Sequence, residues 1–141
     1  MVPPTRHRLP PLLLALLLGA ACSDDPESVA PLECDHNQDV FVSVEQDILT
    51  RFTWEPGCGM ASILVSGAGG GWVVYSGSNS ADNPIASGVM YGVAPDGTLE
   101  PSPATPLVSG EEYTVTVSRW IGEPGGPGSL FPAGSTYFQA R

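Results

Sequence analysis

The sequence has no lysine and little positive charge of any kind. Its five basic residues are all arginines, against 15 aspartates and glutamates, which gives a net charge of −10 at pH 7. The field of such a chain repels the phosphate backbone of nucleic acids and the surface of anionic membranes. Charge therefore excludes nucleic-acid partners without naming the true one.

Side chains for metal or nucleophilic chemistry are equally scarce. With two histidines, three cysteines and no CxxC or HExxH spacing, a zinc site has too few ligands. No serine stands in a G-x-S-x-G motif, and His36, the only histidine after residue 21, is a poor general base on its own. Glu111 and Glu112 point to opposite sides of an extended segment and cannot flank one bond. We predict a chain without enzymatic activity, cofactor or metal.

Long hydrophobic runs are missing as well. The apolar stretch around Leu12–Leu18 extends for about a dozen residues, whereas a bilayer-spanning helix needs roughly 20. Arg6 and Arg8 precede this stretch and small residues follow it, which is the order of a secretory signal peptide. We therefore predict that residues 1–21 are removed after export.

The end of that segment, Leu18–Cys22, resembles the lipobox of bacterial lipoproteins. In this family the cysteine is acylated on its sulfur and becomes the new N-terminus. Gly19 departs from the pattern, which has leucine or another large aliphatic residue there. The alternative is ordinary signal-peptidase cleavage near Ala21, leaving Cys22 free or paired. The resemblance implies a lipid anchor in the cell envelope, and Ser23 resembles the sorting pattern for the outer membrane.

Cysteine number favours acylation. Three cysteines in an exported chain leave one unpaired, and acylation of Cys22 removes the odd one. We predict that Cys34 and Cys58 then form a disulfide. If residues 40–44 and 48–54 pair around Gln46, the two cysteines, each 12 residues from it, arrive at the same end of the hairpin. The acidic residues 22–38 are interpreted as a flexible tether.

Helical periodicity is absent from the rest of the chain, and a period of two replaces it. In Tyr113–Arg119 apolar residues and hydroxyls separate onto two faces, as in a half-buried strand. Similar runs, separated by clusters of Gly, Pro, Asp and Ser, occur at residues 40–44, 50–54, 63–65, 72–76, 89–93 and 136–140. We predict an all-β fold without helices, a single antiparallel sandwich of about seven strands over residues 39–141.

Two stretches resemble fibronectin type III domains. Leu107, Gly110 and Tyr113 have the spacing of that family's tyrosine corner, and Phe52–Pro56 is similar to its second strand, with Trp54 as the core tryptophan. The resemblance covers residues 39–141. It implies that Trp54 and Tyr113 share one interior and that the Tyr113 hydroxyl bonds to nearby backbone.

The chain departs from that family at two points. The usual tyrosine of the third strand is missing around Ile63–Val65, and a Cys34–Cys58 disulfide is outside the usual pattern. An immunoglobulin-like relative is an equally good interpretation.

Two motifs suggest ligand loops but are incomplete. Gly67–Gly71 lies between two strand-like runs, whereas a phosphate loop precedes a helix and usually carries a lysine, so we predict a hairpin turn. Asp35–Asp39 matches the first half of a calcium loop. Val40 stands where glycine is required and Gln46 where glutamate is, so we interpret the motif as an acidic segment beside a strand.

The best candidate for recognition is Trp120–Pro132, which reads as a long Gly/Pro-rich connection before the last strand. Loops at the ends of sandwiches commonly carry recognition, and this one offers Trp120 and Phe131. Alternation places Trp120 on the hydroxyl face and requires Trp72 or Tyr75 to face outward. Such aromatics could form a platform for a sugar ring. The alternative is that they cap the ends of the sandwich.

We therefore expect a monomeric, lipid-anchored module of the cell envelope that binds a protein or glycan without catalysis. A carbohydrate-binding module that uses exposed aromatics is the first alternative. A hydrolase with carboxylates assembled from separate loops is the second.

Overall fold

The computed structural model describes residues 31–35, 37–77, 83–123 and 126–141. Within these ranges the chain forms eight β-strands and no helix, so no described helix could cross a membrane. The strands are β1 Phe41–Gln46, β2 Thr50–Glu55, β3 Ser62–Gly67, β4 Gly70–Tyr75, β5 Val89–Met90, β6 Leu99–Ser102, β7 Glu112–Gly122 and β8 Gly128–Gln139. The all-β prediction is confirmed.

The strands form two antiparallel sheets that pack as a sandwich. One sheet has three strands in the order β1-β2-β5, and the other has five in the order β6-β4-β3-β7-β8. The structure differs from the sequence prediction at one edge of each sheet. β5 is shorter than the predicted run at 89–93, and β6 was not predicted. β6 carries no alternation because all four of its residues are exposed, and β5 ends at Met90 because the chain turns at Tyr91 and Gly92.

The inward rows of both sheets make the core. Phe52 and Trp54 of β2 belong to the same buried cluster as Tyr113, Val115 and Val117 of β7. The Phe138 ring stacks on Tyr113 at 5.7 Å between centroids and contacts Phe52 at 5.9 Å. Burying each such side chain stabilises the fold by roughly 1.5–3 kcal/mol. The expected shared interior is present.

The glycine stretch Gly67–Gly71 forms a hairpin turn, as predicted. β3 and β4 pair from Ser62–Tyr75 to Gly67–Gly70, leaving two residues in the loop. The reason for glycine is the Tyr113 ring beside it. A Cβ on Gly67 would lie 2.6 Å from Tyr113 Cδ1, and one on Gly69 would lie 2.6 Å from the hydroxyl oxygen. Glycine here makes room for a core aromatic.

The first hairpin has a different register from the one predicted. Gln46 pairs with Thr50, so the turn is centred on Ile48 rather than on Gln46. Ile48 and Leu49 are 98% and 59% exposed, and their apolar character suggested strand where the chain in fact turns. The equal spacing of the two cysteines from Gln46 is therefore not what brings them together.

The disulfide forms because the chain before β1 folds back along the sandwich. Cys34 and Cys58 are bonded, with their Cα atoms 5.5 Å apart. Leu32 pairs with Cys58 in a parallel bridge, and the Gly59 N–H donates to the Leu32 carbonyl at 2.9 Å. The described residues of the segment interpreted as a tether, 31–35 and 37–38, are thus attached to the fold.

The predicted loop Trp120–Pro132 is a β-hairpin instead. β7 continues to Gly122 and β8 begins at Gly128, with the two paired throughout that stretch. Pro132 suggested a loop, but it lies opposite Ser118 at a shift in register on an edge strand, where proline costs little pairing. The connection is therefore a rigid arm of the five-stranded sheet.

Candidate functional site

A pocket of about 410 Å³ opens at one end of the sandwich. One wall is residues 37–39, the segment that leads into β1, and the other is residues 131–133 of β8. Arg119 and Ile121 of β7 complete the lining. The pocket thus lies at the base of the turn-proximal part of the β7–β8 hairpin, residues 118–122 and 128–132, which we call the β7–β8 arm.

Arg119 reaches this pocket from the inward row of β7. Alternation along the strand places it in line with Tyr113, Val115 and Val117, and it is 5% exposed. Its two terminal guanidinium nitrogens donate to the backbone carbonyls of Asp35 and Gln38. Its Nε–H is buried and has no hydrogen-bond partner among the described residues. The otherwise apolar inward row of β7 therefore ends in the charged Arg119 guanidinium, whose Nε–H has no acceptor among the described residues.

The electrostatics of Arg119 are unusual for a buried residue. A buried guanidinium is ordinarily compensated by a carboxylate, since desolvating an unpaired charge is costly. Asp39 lines the same pocket, but in the part of the chain that the structure describes no carboxylate hydrogen-bonds to Arg119. The pocket wall thus carries a cation whose described partners are neutral carbonyl oxygens. Such a group can accept an anion with charge-assisted hydrogen bonds.

Phe131 lies opposite Arg119 in the pairing of β7 with β8 and lines the pocket beside it. It is 49% exposed. Directly opposed residues on paired strands have their side chains on the same face, so the side chains of Phe131 and Arg119 leave the strands on the same face. The predicted binding residue Phe131 is therefore at the pocket, where it offers an apolar surface.

Trp120 does not line the pocket and has a bracing role. Its backbone N–H donates to Asn83 Oδ1 at 2.6 Å, and the amide of Asn83 returns a bond to the Trp120 carbonyl at 3.1 Å. The indole N–H donates to the Glu123 carbonyl at 3.2 Å. A Cβ on Gly128 would lie 2.7 Å from the ring, so the indole packs flat against the arm. Trp120 rigidifies the β7–β8 arm.

The other two predicted aromatics lie elsewhere. Trp72 is completely buried, because it shares the inward row of β4 with Val74, and its indole N–H donates to Glu100 Oε1 at 2.5 Å. It therefore cannot belong to a surface platform, which corrects that expectation. Tyr75 has the opposite parity and is half-buried on the outer side of the sheet. The predicted set does not form a single surface.

The outer side of the five-stranded sheet carries the exposed Glu112 at the start of β7 and, along the rest of β3, β4, β7 and β8, hydroxyl and apolar side chains. We call the uncharged, solvent-accessible part of this side the outer sheet face; its members are Leu64, Ser66, Val73, Tyr75, Thr114, Thr116, Ser135 and Tyr137. Tyr137 is 75% exposed and Leu64 is 43% exposed. The hydroxyl face expected on β7 thus continues across neighbouring strands. Hydroxyls with a few apolar groups form this uncharged patch on an otherwise acidic molecule.

Sequence reasoning missed three of these residues. Arg119 belongs to the apolar row of the predicted strand 113–119. A charged residue in that row was the signal that could have identified it as a candidate site residue. Tyr137 and Leu64 alternate with inward residues and could have been found by parity.

Not all of the residues considered in the sequence for metal binding or lipidation lie within the described part of the chain. The described residues contain no group of three or more His, Cys, Asp or Glu side chains that could hold a metal ion. Three features of the sequence lie outside the described residues: His36 of the acidic segment, the signal peptide at residues 1–21 and Cys22.

Burial raises the pKa of the Tyr91 phenol. The phenol donates a hydrogen bond to the Thr105 carbonyl at 2.7 Å, and Tyr91 does not line the pocket.

Comparison with known protein families, with curated proteins and with solved structures finds no match to this chain.

Proposed function

We propose that this chain is a non-catalytic binding module of the cell envelope, and that it binds its ligand in the pocket at the base of the β7–β8 arm. The observation that carries the proposal is Arg119, buried in the pocket wall with an unused N–H and without a hydrogen-bonded carboxylate among the described residues. Folding alone would favour an apolar residue at the end of this inward row. A buried cation without a hydrogen-bonded carboxylate among the described residues is a candidate group for binding an anion.

The surroundings support a preformed site. Trp120 and Asn83 brace the arm on one side, and the Cys34–Cys58 disulfide holds the opposite wall near β1. Two rigid walls reduce the entropy lost when a ligand binds, because little chain has to be ordered at that moment. The half-exposed Phe131 ring supplies the apolar contact that such pockets use.

The proposed location at the cell envelope is supported by the signal-peptide pattern of the sequence and by the pairing of the cysteines. The bonded pair Cys34–Cys58 favours an oxidising compartment and leaves Cys22 as the odd cysteine. Acylation of Cys22 would anchor the chain in the outer membrane, with residues after it as a short spacer. Intact mass of protein extracted from membranes tests this directly. We expect a mass that begins at Cys22 and includes acyl chains, and release of a Cys22→Ser variant into the soluble fraction.

A matched pair of variants tests the binding function. Phe131→Ala removes the ring that lines the pocket, whereas Leu130→Ala removes its neighbour, which is 41% exposed and does not line it. In a pull-down from envelope extract, we expect the Phe131 variant to lose a ligand or partner that the unmodified chain and the Leu130 variant retain. Identical capture by all three would contradict the proposal.

The outer sheet face favours a second candidate, a module that binds a neutral glycan. Its hydroxyls can hydrogen-bond to sugar hydroxyls, and Tyr137 and Leu64 offer apolar surface to the C–H faces of sugar rings. Retardation in gels that contain a neutral polysaccharide tests this. We expect Tyr137→Ala to abolish retardation and Phe41→Ala, at an 82% exposed ring on the other sheet, to preserve it. Unretarded migration of the unmodified chain would reject this candidate.

A further inference from the structure

The chemistry of the pocket narrows the class of ligand, and this step rests on the proposed function. Arg119 has five N–H donors in a planar fork. Its terminal nitrogens each donate to one carbonyl, of Asp35 and of Gln38, and within the described ranges Nε–H donates to no acceptor. Several donors of one guanidinium therefore remain for another acceptor. A planar, bidentate acceptor of negative charge fits this fork best, which is the geometry of a carboxylate.

The charge around the guanidinium points the same way. Its described hydrogen-bond partners are uncharged, and the one acidic residue in the pocket lining, Asp39, makes no hydrogen bond to it. A buried cation gains most from an acceptor that carries a full negative charge, because hydrogen bonds between charged groups are roughly twice as strong as neutral ones. A neutral ligand would form only the weaker hydrogen bonds with the guanidinium.

The remaining walls determine what the carboxylate is attached to. Phe131 stands directly opposite Arg119 in the strand pairing, and Ile121 and Pro132 extend the apolar lining. A flat ring can stack on Phe131 while a substituent on it reaches the guanidinium. A linear aliphatic acid would leave the exposed part of the aromatic ring uncovered.

We infer that the pocket binds a carboxylate carried on a ring, with the carboxylate against the Arg119 guanidinium and the ring against Phe131. Arg119 is then the residue that selects for charge, and Phe131 the one that selects for shape.

Two small probes isolate the charge. Benzoate carries the carboxylate on an aromatic ring, and benzyl alcohol has nearly the same shape without charge. In the full exported chain labelled with ¹⁵N, we expect benzoate to shift the Arg119 Nε–H resonance in a saturable way and to bind at least about tenfold more tightly than benzyl alcohol. The exposed side chains of Arg51 and Arg141 serve as internal controls and should not shift. Equal binding of both probes, or a common shift of all three arginines, would overturn the inference.

Variants separate this inference from the proposed function. Phe131→Ala should weaken benzoate binding several-fold and Leu130→Ala should leave it unchanged, both in chains with the unmodified Arg119. Asp39→Asn removes the neighbouring negative charge and should preserve or tighten binding. Loss of benzoate binding in that variant would also contradict the inference.

The two proposals can fail separately. If the pull-down still depends on Phe131 while benzoate leaves the Arg119 resonance unaffected, the proposed binding function is supported and the inference of a carboxylate ligand is rejected.

Discussion

At the scale of single residues, Tyr113 shows how a polar atom closes the edge of the core. The ring is almost completely buried, and its hydroxyl oxygen accepts a hydrogen bond from the Val108 N–H at 3.0 Å. Gly67 and Gly69 lack side chains where the ring and the hydroxyl pass. The Tyr113 side chain thus joins the segment before β7, through the Val108 N–H, to the turn between β3 and β4, which is distant in sequence.

Removing that one oxygen should be measurable. Tyr113→Phe keeps the ring but leaves the Val108 N–H without its acceptor, so we expect the free energy of unfolding to fall by about 1–2 kcal/mol. Urea denaturation followed by tryptophan fluorescence measures the change. Tyr137→Phe is the control, since that side chain is 75% exposed and should tolerate the change. Equal stability of the two variants would show that the contact contributes nothing.

At the scale of elements, the approach of β1 to β8 depends on one glycine. The Val40 N–H donates to the Ala133 carbonyl at 2.9 Å, which joins the two sheets along one edge. A Cβ on Gly134 would lie 2.3 Å from the Val40 carbonyl oxygen, which is backbone and cannot rotate away. The small residue therefore sets how closely the sheets meet beside the pocket.

Gly134→Ala should force β1 away from β8. We expect a loss of about 1–3 kcal/mol in the free energy of unfolding, since overpacking at backbone cannot be relieved by a rotamer change. Gly57→Ala is the matched control, because a Cβ there meets nothing within 4 Å. Thermal or urea unfolding measures the stability of the two variants. Equal stability would contradict this account.

The β7–β8 arm is the element that the sequence described least well. Gly and Pro between Trp120 and Pro132 predict a loop, because both residues weaken strand pairing on average. The structure forms strands there because β8 is an edge strand and pairs along one side with the long, strongly alternating β7. A local signal for a loop is overridden by pairing with a strong neighbour.

At the scale of the whole molecule, the disulfide ties the chain before β1 to the sandwich. Cys34 and Cys58 are 24 residues apart, and the segment that follows Cys34 provides the two carbonyls that bind Arg119. Closing a loop of this length stabilises the fold by roughly 3.5 kcal/mol in the chain-entropy model. One covalent bond thus supports both stability and the pocket wall.

Replacing both cysteines tests this dependence. In a Cys34→Ala/Cys58→Ala chain we expect the free energy of unfolding to fall by about 3 kcal/mol. We also expect faster amide hydrogen exchange at residues 31–38, because that segment loses its covalent attachment. The Cys22→Ser chain serves as control and should keep the stability of the unmodified domain. Unchanged exchange in the double variant would show that the Arg119 contacts alone hold the segment.

The sequence by itself determined the all-β class, the inward rows with Trp54 and Tyr113, the turn at Gly67–Gly71 and the pairing of Cys34 with Cys58. These features depend on a local period of two, on turn residues and on cysteine number. The tertiary structure alone decided that Trp72 is buried, that the β7–β8 arm is paired and that Arg119 meets a pocket. The partners of Arg119 lie 84 and 81 residues away, and no local pattern encodes contacts at that distance.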